Sequence, residues 1–301
     1  MMRLSADEAF RAYEAVRHRL PRANPADTRP QRVATLADIA DQFDVFLLDA
    51  FGVLNIGETA IPGTRERIDG LRAQGKRVLV VSNAASISHA ELGEKYARLG
   101  FDFAPHDIVT SRATMAALAH QLDGLHWGVM APVGAVFEDL GPLRMTPLGD
   151  EAAAYRAVDG FLLIGSGNWT ELRQSLLEAA LRERPRRVLV ANPDIVAPRE
   201  TGFSAEPGHF AHRLADVSGI EPEFFGKPFP SIFDLAFDRI GPVDRDRTLM
   251  VGDSLHTDIL GAQSVGVASA LVSGYGFHAG QDVNAVIARS GIVPDYVVDR
   301  P

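Results

Sequence analysis

Phe46-Leu47-Leu48-Asp49-Ala50-Phe51-Gly52-Val53-Leu54 is an apolar run that stops at a carboxylate and a glycine. A second run, Leu249-Met250-Val251-Gly252-Asp253-Ser254-Leu255-His256-Thr257-Asp258, is built the same way. An unbroken apolar run of strand length is what a parallel strand buried on both faces looks like. An acid at its end is delivered to the carboxyl edge of the sheet, where open α/β folds keep their ligands. Two such edges bring Asp49, Asp253 and Asp258 toward one crevice. Three acids there suit a hard cation and a phosphate, and leave one carboxylate to act as nucleophile.

Outward from these runs the chain alternates between strand and helix patterns. Strands are predicted over 45–48, 77–81, 127–131, 160–164, 187–191, 248–251 and 268–272. Helices are predicted over 35–41, 89–99, 112–122, 170–184, 210–217, 233–240 and 258–264. A first helix opens on the capping pair Ser5 and Glu8, carries an apolar stripe from Ala9 to Leu20, and is stopped by Pro21. The stretch through Asn24, Pro25 and Pro30 reads as a linker, and 193–208, rich in Pro and Gly, as a loop. This alternation predicts an α/β fold with a Rossmann-like, mostly parallel sheet and helices on both faces. Arg77-Val78-Leu79-Val80-Val81-Ser82-Asn83 echoes Arg187-Val188-Leu189-Val190-Ala191-Asn192-Pro193, which reads either as two α/β units, one inserted in the other, or as the ordinary likeness of buried strands.

Composition narrows the function. The 301 residues suffice for two packed units, and 46% are hydrophobic, in runs no longer than strands. No run is long enough to span a membrane, and the N-terminus lacks the apolar core of a signal peptide, so a cytoplasmic location is expected. The absence of cysteine excludes disulfides and thiolate metal sites. Lys and Arg number 30 against 39 Asp and Glu, a net charge of −9 without a basic run, which argues against nucleic acid as a partner. A small phosphorylated metabolite is compatible with that charge, because a bound cation offsets local acid groups. The N-terminal helix could serve as a packing arm or as a homodimer contact.

Four pieces fall in order: Asp49 with Gly52, Ser82-Asn83, Gly226-Lys227-Pro228, and Gly252-Asp253 with Asp258. Over roughly residues 41–298 the chain resembles the haloacid dehalogenase superfamily, and within it the class IIA branch of sugar-phosphate and nucleotide phosphatases. The resemblance implies a core of residues 36–123 and 220–301, an α/β cap at 124–219 between the second and third motifs, and an N-terminal helical extension, 1–35. It implies that Asp49 attacks phosphorus to form an acyl-phosphate, that Ser82, Asn83 and Lys227 bind the phosphate, and that Lys227 also neutralises charge at the nucleophile. It implies Mg²⁺ held by Asp49, the main-chain carbonyl of Phe51, Asp253 and Asp258. Asp258 reads equally as an acid at a helix start. Asn192 and Asp194, in Ala191-Asn192-Pro193-Asp194, are candidates for substrate contact from the cap, which is expected to close over the crevice.

One position departs from the pattern. Phosphatases of the superfamily carry a second Asp two residues after the nucleophile, to protonate the leaving group and then activate water. Here that residue is Phe51, which cannot transfer a proton. Three readings follow: a Mg²⁺-dependent hydrolase of a small phosphate ester, atypical or slow; a dehalogenase-like carbon–halogen hydrolase, whose Asp-Ala-Tyr-Gly pattern Asp49-Ala50-Phe51-Gly52 approaches; and a phosphate-ligand sensor without turnover. His256 is near enough in sequence to replace the acid, or is a structural histidine.

Overall fold

The computed structural model describes residues 3–22, 29–198 and 202–301. Asn24 and Pro25 of the expected linker lie outside the described residues. The chain divides into two compact units.

The first contains residues 13–82, 90–109 and 227–301. Its seven-stranded sheet runs in the order Gln31–Thr35, Tyr296–Arg300, Ala268–Val272, Thr248–Gly252, Val45–Leu48, Arg77–Ser82, Ile108–Thr110. Val45–Leu48 lies parallel between Thr248–Gly252 and Arg77–Ser82, with Leu48 opposite Val251 and Val80. Every residue of Val45–Leu48 and of Thr248–Gly252 is buried. On one face Val45, Leu47 and Met250 pack with Ile232, Phe233 and Ala236 of the helix Pro230–Ile240, and on the other Phe46, Leu48, Leu249 and Val251 are buried too, as the unbroken runs require. Because the two strands are neighbours in register, the residues after them, Asp49 and Asp253, leave the sheet side by side.

The second unit contains residues 3–12, 83–89 and 110–226. Its five-stranded parallel sheet has the order Glu223–Phe224, Arg187–Val190, Gly160–Leu163, His126–Met130, Arg144–Pro147. The helix Glu171–Glu183, capped by the Thr170 hydroxyl on the Arg173 N–H, packs its Leu177 and Leu181 on that sheet beside Phe210 and Leu214 of Pro207–Ser218. Contacts carry this unit past the 124–219 read from the sequence: Phe224 adds to the strand Arg187–Val190, and Met115 and Leu122 share a cluster with Trp127.

Several local expectations are corrected. Gln31–Thr35, placed with the N-terminal extension, is a strand parallel to Tyr296–Arg300. The loop 193–208 contains an antiparallel pair, Val196–Pro198 with Phe203–Ala205, to which Arg3–Leu4 adds. The helix predicted over 112–122 is two short ones, Ser111–Ala116 and Ala119–Leu122. No helix among the described residues is long and apolar enough to cross a membrane.

Candidate active site

The cluster of acids is built by two turns. After Val45–Leu48 the chain folds back at once: Leu54 and Asn55 both donate their N–H groups to the Ala50 carbonyl, at 2.8 and 3.1 Å, and Gly52 sits at φ 76°. The Asp49 N–H donates to Val251 at 2.8 Å and so continues the sheet. After Thr248–Gly252 the chain makes a π-helical turn, Leu255–Ile259, that brings Asp258 back beneath Gly252. Its carboxylate accepts the N–H groups of Asp253, at 3.1 Å, and Ser254, at 3.0 Å.

Lys227 enters this cluster fully buried. Its Nζ lies 2.6 Å from Asp49 Oδ1 and 2.8 Å from Asp258 Oδ1. Ligand oxygens of Asp49, Asp253 and Asp258 all lie within 4.8 Å of one another. Burial raises the Asp49 pKa to about 6, with Lys227 opposing the rise and Asp258 adding to it. Burial, then the charges of Asp49 and Asp258, raise Asp253 well above the ordinary carboxylate range, against a bond from the Phe277 N–H. Burial works against the Lys227 ammonium, but the charges of Asp258 and Asp49 outweigh it, and its pKa is raised. Three carboxylates facing one ammonium leave two negative charges uncompensated, which a buried site tolerates only by protonation or by binding a cation.

The donor set fits a divalent ion on its own geometry. Glycines surround the acids closely: a Cβ at Gly52 would lie 2.4 Å from Asp253 Oδ2, one at Gly276 1.9 Å from the same atom, and one at Gly252 2.1 Å from Asp258 Cγ. Phe277 N–H donates to Asp253 Oδ2 at 2.7 Å. Hard oxygen ligands held in a tight backbone cradle are the donors that Mg²⁺ takes.

The other predicted residues divide between the units. Ser82 ends the strand beside Val45–Leu48 and is buried. Tyr96, which the sequence did not single out, is buried in the same unit. Burial, then the charge of Asp49, raise its phenol above the ordinary value, with Ser82 acting the other way. Asn83 falls in the second unit and donates to Asp194 Oδ1 at 2.7 Å. Asn192 accepts the Asp194 N–H at 2.9 Å and donates to Glu206, whose other oxygen accepts from Ser204. Asn83, Asn192 and Asp194 thus form one polar network together with Glu206, a residue that sequence reasoning missed.

His256 does not stand with the acids as a proton donor. Its Nε2 lies 2.6 Å from Glu14 Oε1, and its ring stacks on Tyr13 with centroids 4.9 Å apart. Burial holds its pKa below the ordinary value despite Glu14. It anchors the π-helical turn to the first helix. Phe51 is half-buried in the Asp49 turn, bridged to Asn55.

The chain is similar to known proteins in sequence and in fold. A family model described as haloacid dehalogenase-like hydrolase matches residues 46–136, and a HAD-hydrolase-like model matches 224–300. Human glycerol-3-phosphate phosphatase is 31% identical, over 88% of this chain and 90% of its own. A structure described as a possible sugar phosphatase of the HAD superfamily, from Cytophaga hutchinsonii, superposes with a TM-score of 0.78 at 25% identity, covering 90% of this chain and 98% of its own. A glycerol phosphate phosphatase from Mycobacterium tuberculosis in complex with magnesium gives 0.67 at 28% identity, covering 86% and 76%. Mg²⁺ is the cofactor of such phosphatases, and the carboxylate oxygens of Asp49, Asp253 and Asp258 lie close enough together to hold a metal ion. The sequence match along both chains and the shared fold lead to one conclusion: this chain belongs to the haloacid dehalogenase-like hydrolases, in their class IIA branch of phosphatase-like enzymes.

Proposed function

We propose that this protein is a Mg²⁺-dependent phosphatase of a small phosphate ester that works through an aspartyl-phosphate on Asp49. One observation supports this above the others: Lys227, buried, bridges Asp49 and Asp258 at 2.6 and 2.8 Å within a cluster of three carboxylates. In this reading Mg²⁺, held by Asp49, Asp253, Asp258 and the Phe51 carbonyl, supplies the charge that offsets carboxylate and phosphate.

Lys227 keeps one Asp49 oxygen ionised and oriented. The other oxygen attacks phosphorus, the bond from phosphorus to the ester oxygen breaks, and that oxygen leaves with the bonding electrons as an alkoxide, which takes a proton from water. Ser82 donates a hydrogen bond to the phosphoryl group, and Asn83 is proposed to do the same. Water then attacks the phosphorus of the acyl-phosphate, the bond to Asp49 breaks, and inorganic phosphate is released.

Phe51 determines the character of this enzyme. With no carboxyl at that position, the leaving oxygen departs as an anion and takes its proton from water. General acid–base help is typically worth ~10²–10⁴-fold in rate. Turnover is therefore fastest for esters of acidic alcohols, such as aryl phosphates, and slow for the glycerol and sugar phosphates for which the relatives are named. Phe51 also motivates a second reading, a phosphate-ligand sensor without turnover. A dehalogenase-like reaction would leave Asp253 and Asp258 buried beside Asp49 with no cation, which the charge balance opposes.

Phosphate release from a panel of esters, with Mg²⁺ and with EDTA, tests the proposal, with Asp49→Asn as the blank. Metal-dependent release lost in Asp49→Asn supports the phosphatase. Release no higher than the blank, in protein that binds Mg²⁺ and phosphate, favours the sensor.

A further inference from the structure

The first unit buries a phenol that the proposed reaction does not use. The helix His89–Arg98 turns Leu92 and Tyr96 inward, and Tyr96 is fully buried. Its ring meets Phe103 edge-on, with centroids 5.9 Å apart, and Phe103 in turn stacks on Phe101 at 5.9 Å. Phe101 is tied to the end of the helix by its N–H, which donates to the Tyr96 carbonyl at 2.9 Å. Packing thus fixes the ring, and the ring fixes where its hydroxyl lies.

That hydroxyl lies beside the Ser82 side chain and feels the charge of the Asp49 carboxylate. Among the described residues it has no partner in hydrogen-bonding geometry. Tyr96, Ser82 and Asp49 all belong to the first unit. A phenylalanine would fill the same space and pack on Phe103 equally well, with no buried hydroxyl to satisfy. Packing therefore accounts for the ring and not for the oxygen. A phenol carries its proton at neutral pH, and burial and the charge of Asp49 hold this one more firmly, so it is a donor. Of its two neighbours, Asp49 has one oxygen on Lys227 and needs the other for attack. The Ser82 hydroxyl has two lone pairs to accept with and one proton to give.

We infer, on the reading of Ser82 as a donor to the phosphoryl group, that Tyr96 is a positioning residue for that group and acts through Ser82. By donating to Ser82 Oγ, the Tyr96 hydroxyl turns the Ser82 proton away from itself and toward a phosphoryl oxygen. The two hydroxyls then donate in one direction, and each bond strengthens the other.

Inorganic phosphate is the probe, titrated by calorimetry into the full-length Mg²⁺-loaded protein and into Tyr96→Phe, Ser82→Ala and the double variant. Tyr96→Phe keeps the ring and its packing. It should bind Mg²⁺ as the unaltered protein does and phosphate ~3–10-fold more weakly, the range of one neutral hydrogen bond. In the Ser82→Ala background the same substitution should change nothing, because the oxygen through which Tyr96 acts is gone. A mere change of packing at Tyr96 would weaken both backgrounds alike. Absence of phosphate binding in the unaltered protein, or full binding in Ser82→Ala, overturns the reading of Ser82 and this role of Tyr96 with it. Where Ser82→Ala does weaken binding, the role of Tyr96 alone is overturned if Tyr96→Phe binds phosphate as tightly as the unaltered protein, if it loses Mg²⁺ affinity equally, or if the losses of the two substitutions add.

Discussion

The Asp258 carboxylate accepts the N–H groups of Asp253 and Ser254, so one acid of the cluster holds the backbone that presents another. Its remaining oxygen faces Lys227 at 2.8 Å. Of the two readings of Asp258 in the sequence, the acid at a helix start describes the oxygen that holds the turn, and the metal ligand would need the oxygen that faces Lys227. Asp258 orders the turn through one oxygen and offers the other to the cluster.

Asp258→Asn separates those duties. The amide oxygen still accepts the two N–H groups, but the NH₂ then points at the Lys227 ammonium, donor against donor. The fold should survive while Lys227 loses one of its two anionic partners. We expect at least a tenfold higher Mg²⁺ requirement and kcat lower by ~10²-fold, the scale of losing one preorganised charged contact. Mg²⁺ titration of phosphate release measures both, and unchanged values would remove Asp258 from the site.

Gly276 is the test of the cradle. It sits at φ 76°, and a Cβ there would lie 1.9 Å from Asp253 Oδ2. Gly280 has nearly the same φ, 77°, with nothing within 4 Å of its Cβ. Alanine at either position pays a left-handed backbone cost of ~1–2 kcal/mol. Only Gly276→Ala also displaces the Asp253 carboxylate. Gly276→Ala should lose more stability than Gly280→Ala, because its Cβ also meets Asp253 Cβ at 2.6 Å, and it alone should lose Mg²⁺ affinity, by tenfold or more in a metal titration. Equal metal affinity in both would mean that Asp253 is not a ligand.

Metal and pH should be linked with a defined sign. Without metal, Asp49 has its pKa raised to about 6 and Asp253 is raised as well, so the folded protein binds more protons than the unfolded one above the ordinary carboxylate pKa. Stability therefore falls as pH rises. For Asp49 the contribution is fully present below about 4 and is lost as pH passes 6. Mg²⁺ takes the place of those protons, and at ~100 times its Kd contributes ~2.7 kcal/mol. The difference in Tm between Mg²⁺ and EDTA should therefore be small at pH 5 and several degrees at pH 8. Thermal melts at the two pH values decide it, and an equal difference at both would contradict a cation among these carboxylates.

Asp49 and Asp253 were legible because a strand buried on both faces must be apolar throughout, and an acid that ends such a run has few other places to go. Phe51 was legible as a departure because its position is fixed by its neighbours Asp49 and Gly52. The N–H donor of Phe277 was not, since a main-chain group leaves no mark on side-chain chemistry. Gln31–Thr35 was hidden because an edge strand half exposed to water has polar residues where a central strand has apolar ones, and it follows Pro30. The pair Val196–Pro198 and Phe203–Ala205 was hidden in a stretch whose Pro and Gly signal turns. The role of His256 was undetectable for another reason: its partner Glu14 is 242 residues away in sequence. A histidine two residues from Asp258 reads either as a proton donor or as a structural group, and only that contact decides between them.

Phe51→Asp tests what the missing acid costs. The substitution places a carboxyl two residues after the nucleophile, in a half-buried turn. Proton transfer to the leaving oxygen would then be available, and it helps poor leaving groups most. Release from an alkyl phosphate should rise by ~10-fold or more, within the ~10²–10⁴-fold usual for general acid–base help, because a new side chain in an unprepared site captures only part of it. Aryl phosphates should gain little. A plot of log kcat against leaving-group pKa should therefore be shallower in Phe51→Asp than in the unaltered enzyme. A folded variant with an unchanged slope and unchanged or lower rates would show that position 51 does not face the leaving group, and that the chain protonates it from elsewhere.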